Sequence, residues 1–388
     1  MKVGIVGGRL AGSYAALILA SRGHQVRLFD PSTGGEKACG GGITAKALGT
    51  LPWLREQKLP CNEIREVELT TLEGCSTLLL LKHPIHIFSR AVLDTALRTA
   101  AIDAGARFHP ERVLRFEPLG EGWALTTSSG ARHGADFLIG ADGASSSVRA
   151  AVSNKFAAED LSLALGHYLP GTHHPDRIVI VFQECGFPGY LWSFPRVDHA
   201  SVGIIHRLQG VRAADLRRRV AGFISERYPT ADTSGCGFFA ARVPCLRRST
   251  LAAQRVCGRN WALVGDAAGF VDPITAEGIY FALRSAKLLG EALGERDPLS
   301  YEQRWRRDFG ADLERAAEWR HRFYNGLFIL RPFIRRAIQM LGVSATTRRI
   351  TDALICGRLT YQQMRSTLLS HSPRILMEAV RGALFRSG

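Results

Sequence analysis

The sequence predicts an α/β fold in which a parallel-sheet domain is interrupted by an inserted antiparallel sheet and followed by a helical C-terminal region. Three observations predict it. Residues 2–30 read as a short apolar strand, a glycine turn, a helix and a second strand. From about 160 to 250 strand-like runs dominate (RIVIVF, GYLWSF, ASVGII), broken by one helical stretch near 212–227. At 261–266 the run WALVGD returns to a buried strand meeting a turn, and helical patterning then continues to the end.

The first unit carries the most information. KVGIVG is the strand, alanine and leucine recur at helical spacing over 11–22, and HQVRLFD is the second strand, closed by Asp30. Such a β-turn-α-β unit of roughly 30 residues is the Rossmann-like dinucleotide fingerprint: the helix N-terminus takes the phosphates and the acid takes the ribose hydroxyls. The turn reads GGRLAG, so Gly7 and Gly12 stand in place while Arg9 occupies the position of the middle glycine. Residues 31–50 are loop-like and glycine-rich, alternating segments lie near 64–73 and 76–82, and a helix spans about 89–104. ADFLIGADG is a further strand ending at Asp142, and a long helix follows 277. With no internal repeat or low-complexity linker, the domains are expected to interweave. We assign 1–60, 84–158 and 250–299 to the parallel-sheet domain, 61–83 and 159–249 to the inserted sheet, and 300–388 to the helical region.

Composition excludes several classes. The chain has 388 residues, 46% hydrophobic and 22% charged, which is the composition of a soluble globular protein. No run approaches the roughly 20 apolar residues of a membrane span, and Arg9 with its glycines argues against a secretory signal. Eight cysteines show no C-x-x-C pair and no zinc spacing, so a reduced, cytoplasmic chain without a metal is expected. The net charge of +15 comes mostly from arginine, in clusters that are scattered and not interleaved with aromatics, so no nucleic-acid partner is expected. Peripheral contact with an anionic membrane, at its inner surface, stays open.

Three further motifs frame the first turn: R-x-x-L-D-x-x-L from Arg90, G-A-D-G with Asp142 and Gly143, and G-D-A-A-G-x-x-x-P with Asp266. Taken in order, they resemble the flavoprotein monooxygenase and reductase superfamily with the p-hydroxybenzoate-hydroxylase fold, over about residues 1–295. The resemblance implies FAD. Gly7, Gly8, Ala11 and Gly12 would surround its pyrophosphate, and the Arg9 guanidinium would add a charge-assisted contact. Asp30 would accept from the adenosine ribose, Arg90 would reach the cofactor's polar spine, Val113 would offer backbone to the adenine, and Asp266 would bind the ribitol. Asp142 and Gly143 belong to the same cofactor set, and Gly278 and Ile279 would aim helix N–H groups at the flavin edge that becomes negative on reduction.

Two more stretches narrow the branch. KACGGGIT, with Cys39, Gly40 and Gly41, is similar to the K-x-C-G-G segment beside the flavin in geranylgeranyl reductases, and GYLWSFP resembles their Y-x-W-x-F-P motif. The G-x-G expected after that proline is incomplete, with Gly203 present but Ile205 in the second place. Tyr190, Trp192 and Phe194 share one side of a strand by alternation, either as a tunnel wall or as an ordinary sheet core. The resemblance implies hydrogenation of a carbon–carbon double bond in an isoprenoid or other hydrophobic small molecule. Cys39 would position substrate, supply a proton, pair with another cysteine, or only pack. NADPH and ferredoxin are both open as electron donor. The alternative reading is an FAD-dependent aromatic monooxygenase using NAD(P)H and O2; a halogenase is disfavoured by the absence of W-x-W-x-I-P, and a non-catalytic flavin protein remains as a further class. Near the C-terminus Phe323, Leu327, Leu330, Ile334, Ile338 and Leu341 fall on one helical face, which Pro332 is expected to kink or split.

Overall fold

In the computed structural model, which describes residues 1–171, 176–231, 233, 235–328 and 330–384, the chain opens with strand Lys2–Val6, helix Leu10–Ser21 and strand Gln25–Phe29. The helix is buried on most of its surface because it lies between helices Arg90–Asp103 and Ile279–Gly294, which explains its run of alanines and leucines. Gly7 turns the chain at φ +103°, a value that favours glycine, and a Cβ on Gly12 would collide with the Gly7 carbonyl. The first and last glycines of the motif are therefore demanded by backbone geometry, independently of any ligand.

Five strands form a wholly parallel sheet in the order Trp261–Leu263, Phe137–Gly140, Lys2–Val6, Gln25–Phe29, Arg107–His109. The strands Lys2–Val6, Phe137–Gly140 and Trp261–Leu263 are buried over most of their length and read as apolar runs, while the edge strand Arg107–His109 is polar and partly exposed. A three-stranded meander, Val113–Leu119, Gly122–Thr127 and Arg132–Ala135, lies against this sheet, bringing Leu125 and Ala135 over Gly4.

The second sheet has eight strands, ordered Gly237–Pro244, Leu161–Pro170, His199–Arg207, Gly189–Pro195, Arg177–Phe182, Cys61–Thr71, Ser76–Phe88, Gly42–Ile43. It is antiparallel except where Arg177–Phe182 runs parallel to Cys61–Thr71. That junction joins the two separate stretches of chain that build the sheet. Its strands also reach beyond the expected limits: Ser76–Phe88 passes residue 83, and Gly42–Ile43 pairs with it from the glycine-rich loop. Helix Ala213–Arg227 covers one face, against Leu165, Leu191, Val202 and Ile204. Alternation turns Tyr190, Trp192, Phe194 and Ile205 to the opposite face, where they meet Ala38 and Ala276.

The C-terminal helices begin with Ser300–Trp305 and Ala311–Asn325. The face expected to run from Phe323 to Leu341 is broken by a small hairpin, Leu327–Phe328 with Arg331–Pro332, and Pro332 caps the next helix, Phe333–Val343. Phe323, Ile334 and Ile338 still join one cluster with Tyr324, but Leu330 is 91% exposed. Pro332 thus splits the stretch, and the hairpin separates its apolar residues. Helices Ala345–Ile355, Tyr361–Ser370 and Ser372–Leu384 follow; residues 385–388 of the expected helical region lie outside the described residues.

Gly203 stands directly opposite Trp192, and a Cβ there would lie 2.5 Å from the indole and 2.7 Å from the Leu165 carbonyl oxygen. Gly203→Ala is expected to cost about 1–3 kcal/mol by overpacking. Chemical denaturation of the variant checks this, and unchanged stability would show that the indole shifts freely.

Candidate functional site

Four backbone features converge on one cleft. Helix Leu10–Ser21 starts at Arg9 with no side-chain cap, so its first N–H groups have no capping acceptor. Helix Ile279–Gly294 starts at Gly278, likewise uncapped. The two helices pack together, with Gly265 between Ala11 and Ala282. Asp266 joins them to the glycine-rich loop: its carboxylate pairs with Lys37 at 3.0 Å and lies 3.3 Å from where a Gly278 Cβ would stand. Two uncapped helix N-termini, with Gly7, Gly8 and Gly12 leaving no room for a Cβ at the first of them, suit a polyanionic ligand.

Arg9, Asp30, Ser32, Asp94 and Arg98 line the outer part of this cleft. Asp30 is buried, with Oδ2 accepting from the Gly8 N–H at 2.6 Å and Oδ1 from the Ser32 N–H at 2.7 Å. Its carboxylate therefore holds the turn in shape as well as facing the cleft. Arg9 pairs with Asp94 at 3.0 Å, and the buried Arg90 grips the same carboxylate at 2.9 Å. Two guanidiniums share one carboxylate, which leaves positive charge beside the helix N-terminus. Arg90 also lies against the Cys39 thiol; burial opposes its charge, and Asp94 with Cys39 more than offsets this and raises its pKa.

The structure places other expected residues differently. Asp142 accepts from the Ser147 N–H and Oγ at 2.7 Å each, at the start of the short helix Ser147–Val152 that Ser146 caps, while Gly143 makes the turn at φ +82°. Val113 is buried at the start of its strand, where it pairs with Thr127.

The cysteine loop sits on the aromatic strand. A Cβ on Gly40 would lie 2.8 Å from the Phe194 ring, and Gly41, at φ +82°, leaves no room for a side chain against the Phe88 carbonyl. The Gly41 N–H points at the Cys39 sulfur at 3.3 Å. Tyr190 donates its hydroxyl to the Thr275 carbonyl, in the turn before helix Ile279–Gly294. Trp192 stacks on Phe239 at 6.1 Å.

Sequence reasoning missed the residues that hold this loop. Arg196, fully buried, donates to the Cys39 carbonyl at 2.7 Å and forms an ion pair with Glu36. Ser201 donates to the same carbonyl at 3.0 Å. Glu36 also accepts from the Ser89 hydroxyl and the Arg90 N–H; although burial opposes its charge, these partners, Arg196 first, hold its carboxyl below the usual range. The only hint in the sequence is the arginine that directly follows YLWSFP.

Glu277, next to Gly278, accepts from the Thr44 hydroxyl at 3.3 Å. Burial, with Asp272 nearby, pushes its carboxyl from 4.5 up to about 7. In the folded chain it keeps its proton over a range where the unfolded chain has lost it. Its contribution to stability is therefore present below about pH 4.5 and is lost as pH rises through about 7. Glu277→Gln is expected to gain about 1–3 kcal/mol over the parent chain between about pH 5 and 8. Paired denaturation curves at the two pH values check it; a difference that does not change with pH would place the carboxyl in an ordinary environment.

No family model matches the chain. Among curated proteins it is 29% identical over 351 residues to digeranylgeranylglycerophospholipid reductase 2 of Methanothermobacter thermautotrophicus, covering 81% of this chain and 86% of the relative. It is 29% identical over 323 residues to menaquinone reductase of Mycobacterium tuberculosis, covering 76% of each. With geranylgeranyl diphosphate reductase of Synechocystis it shares 27% identity over 348 residues, 80% and 82% of the two chains. Among solved structures, a geranylgeranyl bacteriochlorophyll reductase-like protein from Thermoplasma acidophilum superposes with a TM-score of 0.71 at 20% identity, over 98% of both chains. A flavin-dependent brominase has the same TM-score at 16% identity, over 96% of this chain and 100% of its own. Both of these likenesses are of fold alone; the likeness to named reductases is one of sequence. In sequence the chain is similar to reductases named for geranylgeranyl substrates, and its fold is one shared by a geranylgeranyl bacteriochlorophyll reductase-like protein and by FAD-binding halogenases.

Proposed function

We propose that this protein binds FAD in the cleft between its two uncapped helix N-termini and hydrogenates carbon–carbon double bonds of an isoprenoid chain. The observation that carries the reading is the contact between the cysteine loop and the aromatic strand. It packs Gly40 and Gly42 on Phe194, and brings Ala38 and Ala276, close in sequence to Cys39 and Gly278, to the row Tyr190, Trp192, Phe194. The relatives named for geranylgeranyl substrates support the substrate class.

The residues fit the cofactor by charge and by shape. The start of helix Leu10–Ser21, with the excess charge of Arg9 and Arg90 beside it, would hold the pyrophosphate. Asp30 would accept from the adenosine ribose. Asp266 would release Lys37 and turn to the ribitol. Gly278 and Ile279 would hold the flavin's pyrimidine edge, where their N–H groups oppose developing negative charge. When bound and reduced, FAD supplies the hydride that one carbon of the double bond takes up.

The neighbouring carbon needs a proton. We assign its delivery to Cys39, which Arg196 and Ser201 hold in place through the Cys39 carbonyl. The aromatic row would exclude water and align the chain. NADPH and ferredoxin both remain candidates for returning two electrons to the flavin.

Under anaerobic conditions, the dithionite-reduced protein should recover its oxidised flavin band when a geranylgeranyl compound is added. Cys39→Ala should slow that recovery by about 10²-fold or more while keeping the flavin bound. A band that returns only when air is admitted would favour the oxygen-using alternative, and full rates in Cys39→Ala would remove the thiol from the chemistry. A separate test concerns Arg9: Arg9→Gly should release FAD about tenfold more readily in a dilution assay read by flavin fluorescence. Tighter FAD in that variant would show that the arginine obstructs the pyrophosphate.

A further inference from the structure

Helix Phe333–Val343 packs against both the hairpin that precedes it and the last helix, Ser372–Leu384. Each of these neighbours presents apolar side chains to solvent. On the hairpin, Leu327 and Phe328 are more than half exposed and Leu330 almost wholly so. Leu330 also holds φ +59°, so a bulky side chain stands at a left-handed position that favours glycine. On the last helix Leu376, Met377 and Val380 are each more than half exposed, and their spacing puts them on one side. Glu378 faces the opposite way, accepting from Ser344 and Thr346.

The charge of this region is one-sided. Residues 326–388 contain ten arginines, no lysine and only two acids, Asp352 and Glu378. Both acids are committed to the protein: Asp352 is buried and accepts from the Lys82 N–H at 2.8 Å, and Glu378 holds the start of helix Ala345–Ile355. Each also pairs with one arginine, Arg358 and Arg374 respectively. Arg331 at the hairpin, Arg365, and Arg381 on the last helix are exposed, and none has an ion-pair partner among the described residues. Ring contacts join the base of the hairpin to the aromatic row: Phe333 to Phe323 at 6.0 Å, Phe323 to Phe182 at 5.8 Å and Phe182 to Tyr190 at 6.1 Å.

Scattered exposed leucines are ordinary, but apolar side chains grouped on two neighbouring elements within a basic region call for a partner. A nucleic acid would be held by the arginines and would leave the leucines in water. A second copy would bring two basic surfaces together. A bilayer with anionic headgroups takes both features: apolar side chains enter the acyl boundary while guanidiniums meet lipid phosphates. We propose that the hairpin tip and the outer side of the last helix dock on an anionic lipid bilayer. The surface stands on exposure and charge alone. That the docked protein draws its isoprenoid from the bilayer, past the hairpin base towards Tyr190, rests on the function proposed above.

Flotation of the full chain with vesicles tests the surface without turnover. The protein should bind phosphatidylglycerol vesicles about tenfold or more tightly than phosphatidylcholine vesicles, and added salt should weaken the binding. Leu327→Ser/Leu330→Ser and Leu376→Ser/Met377→Ser/Val380→Ser should each weaken it by about tenfold or more. These side chains already stand in water, so the thermal melts of both variants should match the parent chain. Arg331→Gln/Arg365→Gln/Arg381→Gln should remove the preference for the anionic vesicles. Absence of binding to phosphatidylglycerol vesicles, or binding that both serine variants keep in full, overturns the proposal. Duplex DNA bound more tightly than vesicles, with the serine variants unaffected, reassigns the basic surface to a nucleic acid and overturns it too. Self-association that the serine variants abolish, with vesicles left unbound, makes the surface an interface between copies instead. Anaerobic reoxidation of the reduced flavin by a detergent-solubilised geranylgeranyl compound needs no bilayer, so it scores the reductase reading separately.

Discussion

The site depends on one buried guanidinium. Arg196, at the end of the aromatic strand, is fully enclosed and must be paired, because an isolated charge in that environment would cost several kcal/mol. Its partners are Glu36, the Cys39 carbonyl and His199, the first two being the ends of the segment EKAC that lies between glycine pairs and leads into the glycines at 40–42. A loop with only the small side chains of Ala38 and Cys39 to pack is thereby held against the sheet. Without this anchor, the glycines at 40–42 would give the chain freedom that no local interaction could offset.

The same economy shapes the cofactor-side cleft. Asp30, Asp94 and Asp266 each hold protein groups: the Gly8 and Ser32 amides, two guanidiniums, and Lys37 respectively. Such pairings keep the charged groups satisfied and hold the turns in position. In the proposed function, binding a polyanion would be an exchange of partners, in which Asp266 would release Lys37 and the Arg9 guanidinium would turn from carboxylate to phosphate. The net positive charge near the first helix makes that exchange favourable.

The large sheet separates two tasks by alternation. Its even positions on strand His199–Arg207, Val202 and Ile204, pack on helix Ala213–Arg227 and contribute stability. Its odd positions, Gly203 and Ile205, lie on the opposite face with the aromatic row. Gly203 gives the Trp192 indole room against the strand, and Ile205 joins Trp192 and Phe239 in the apolar cluster on that face.

The sequence by itself determined whatever depends on local backbone geometry. Gly7 and Gly12 stand where the turn admits no Cβ, the strand-acid ending at Asp30 follows from the β-α-β spacing, and the aromatic row follows from a period of two. These are short-range constraints, so a few residues state them completely. Only the tertiary structure decided the pairings: Glu36 with Arg196 and Arg9 with Asp94 join residues that lie 85 or more positions apart. It also broke the face expected from Phe323 to Leu341, because periodicity cannot show that Pro332 ends a hairpin. Charges carry no periodic signature, and which of 50 basic residues are buried, paired or left for a ligand is settled only when the sheets and helices close around them.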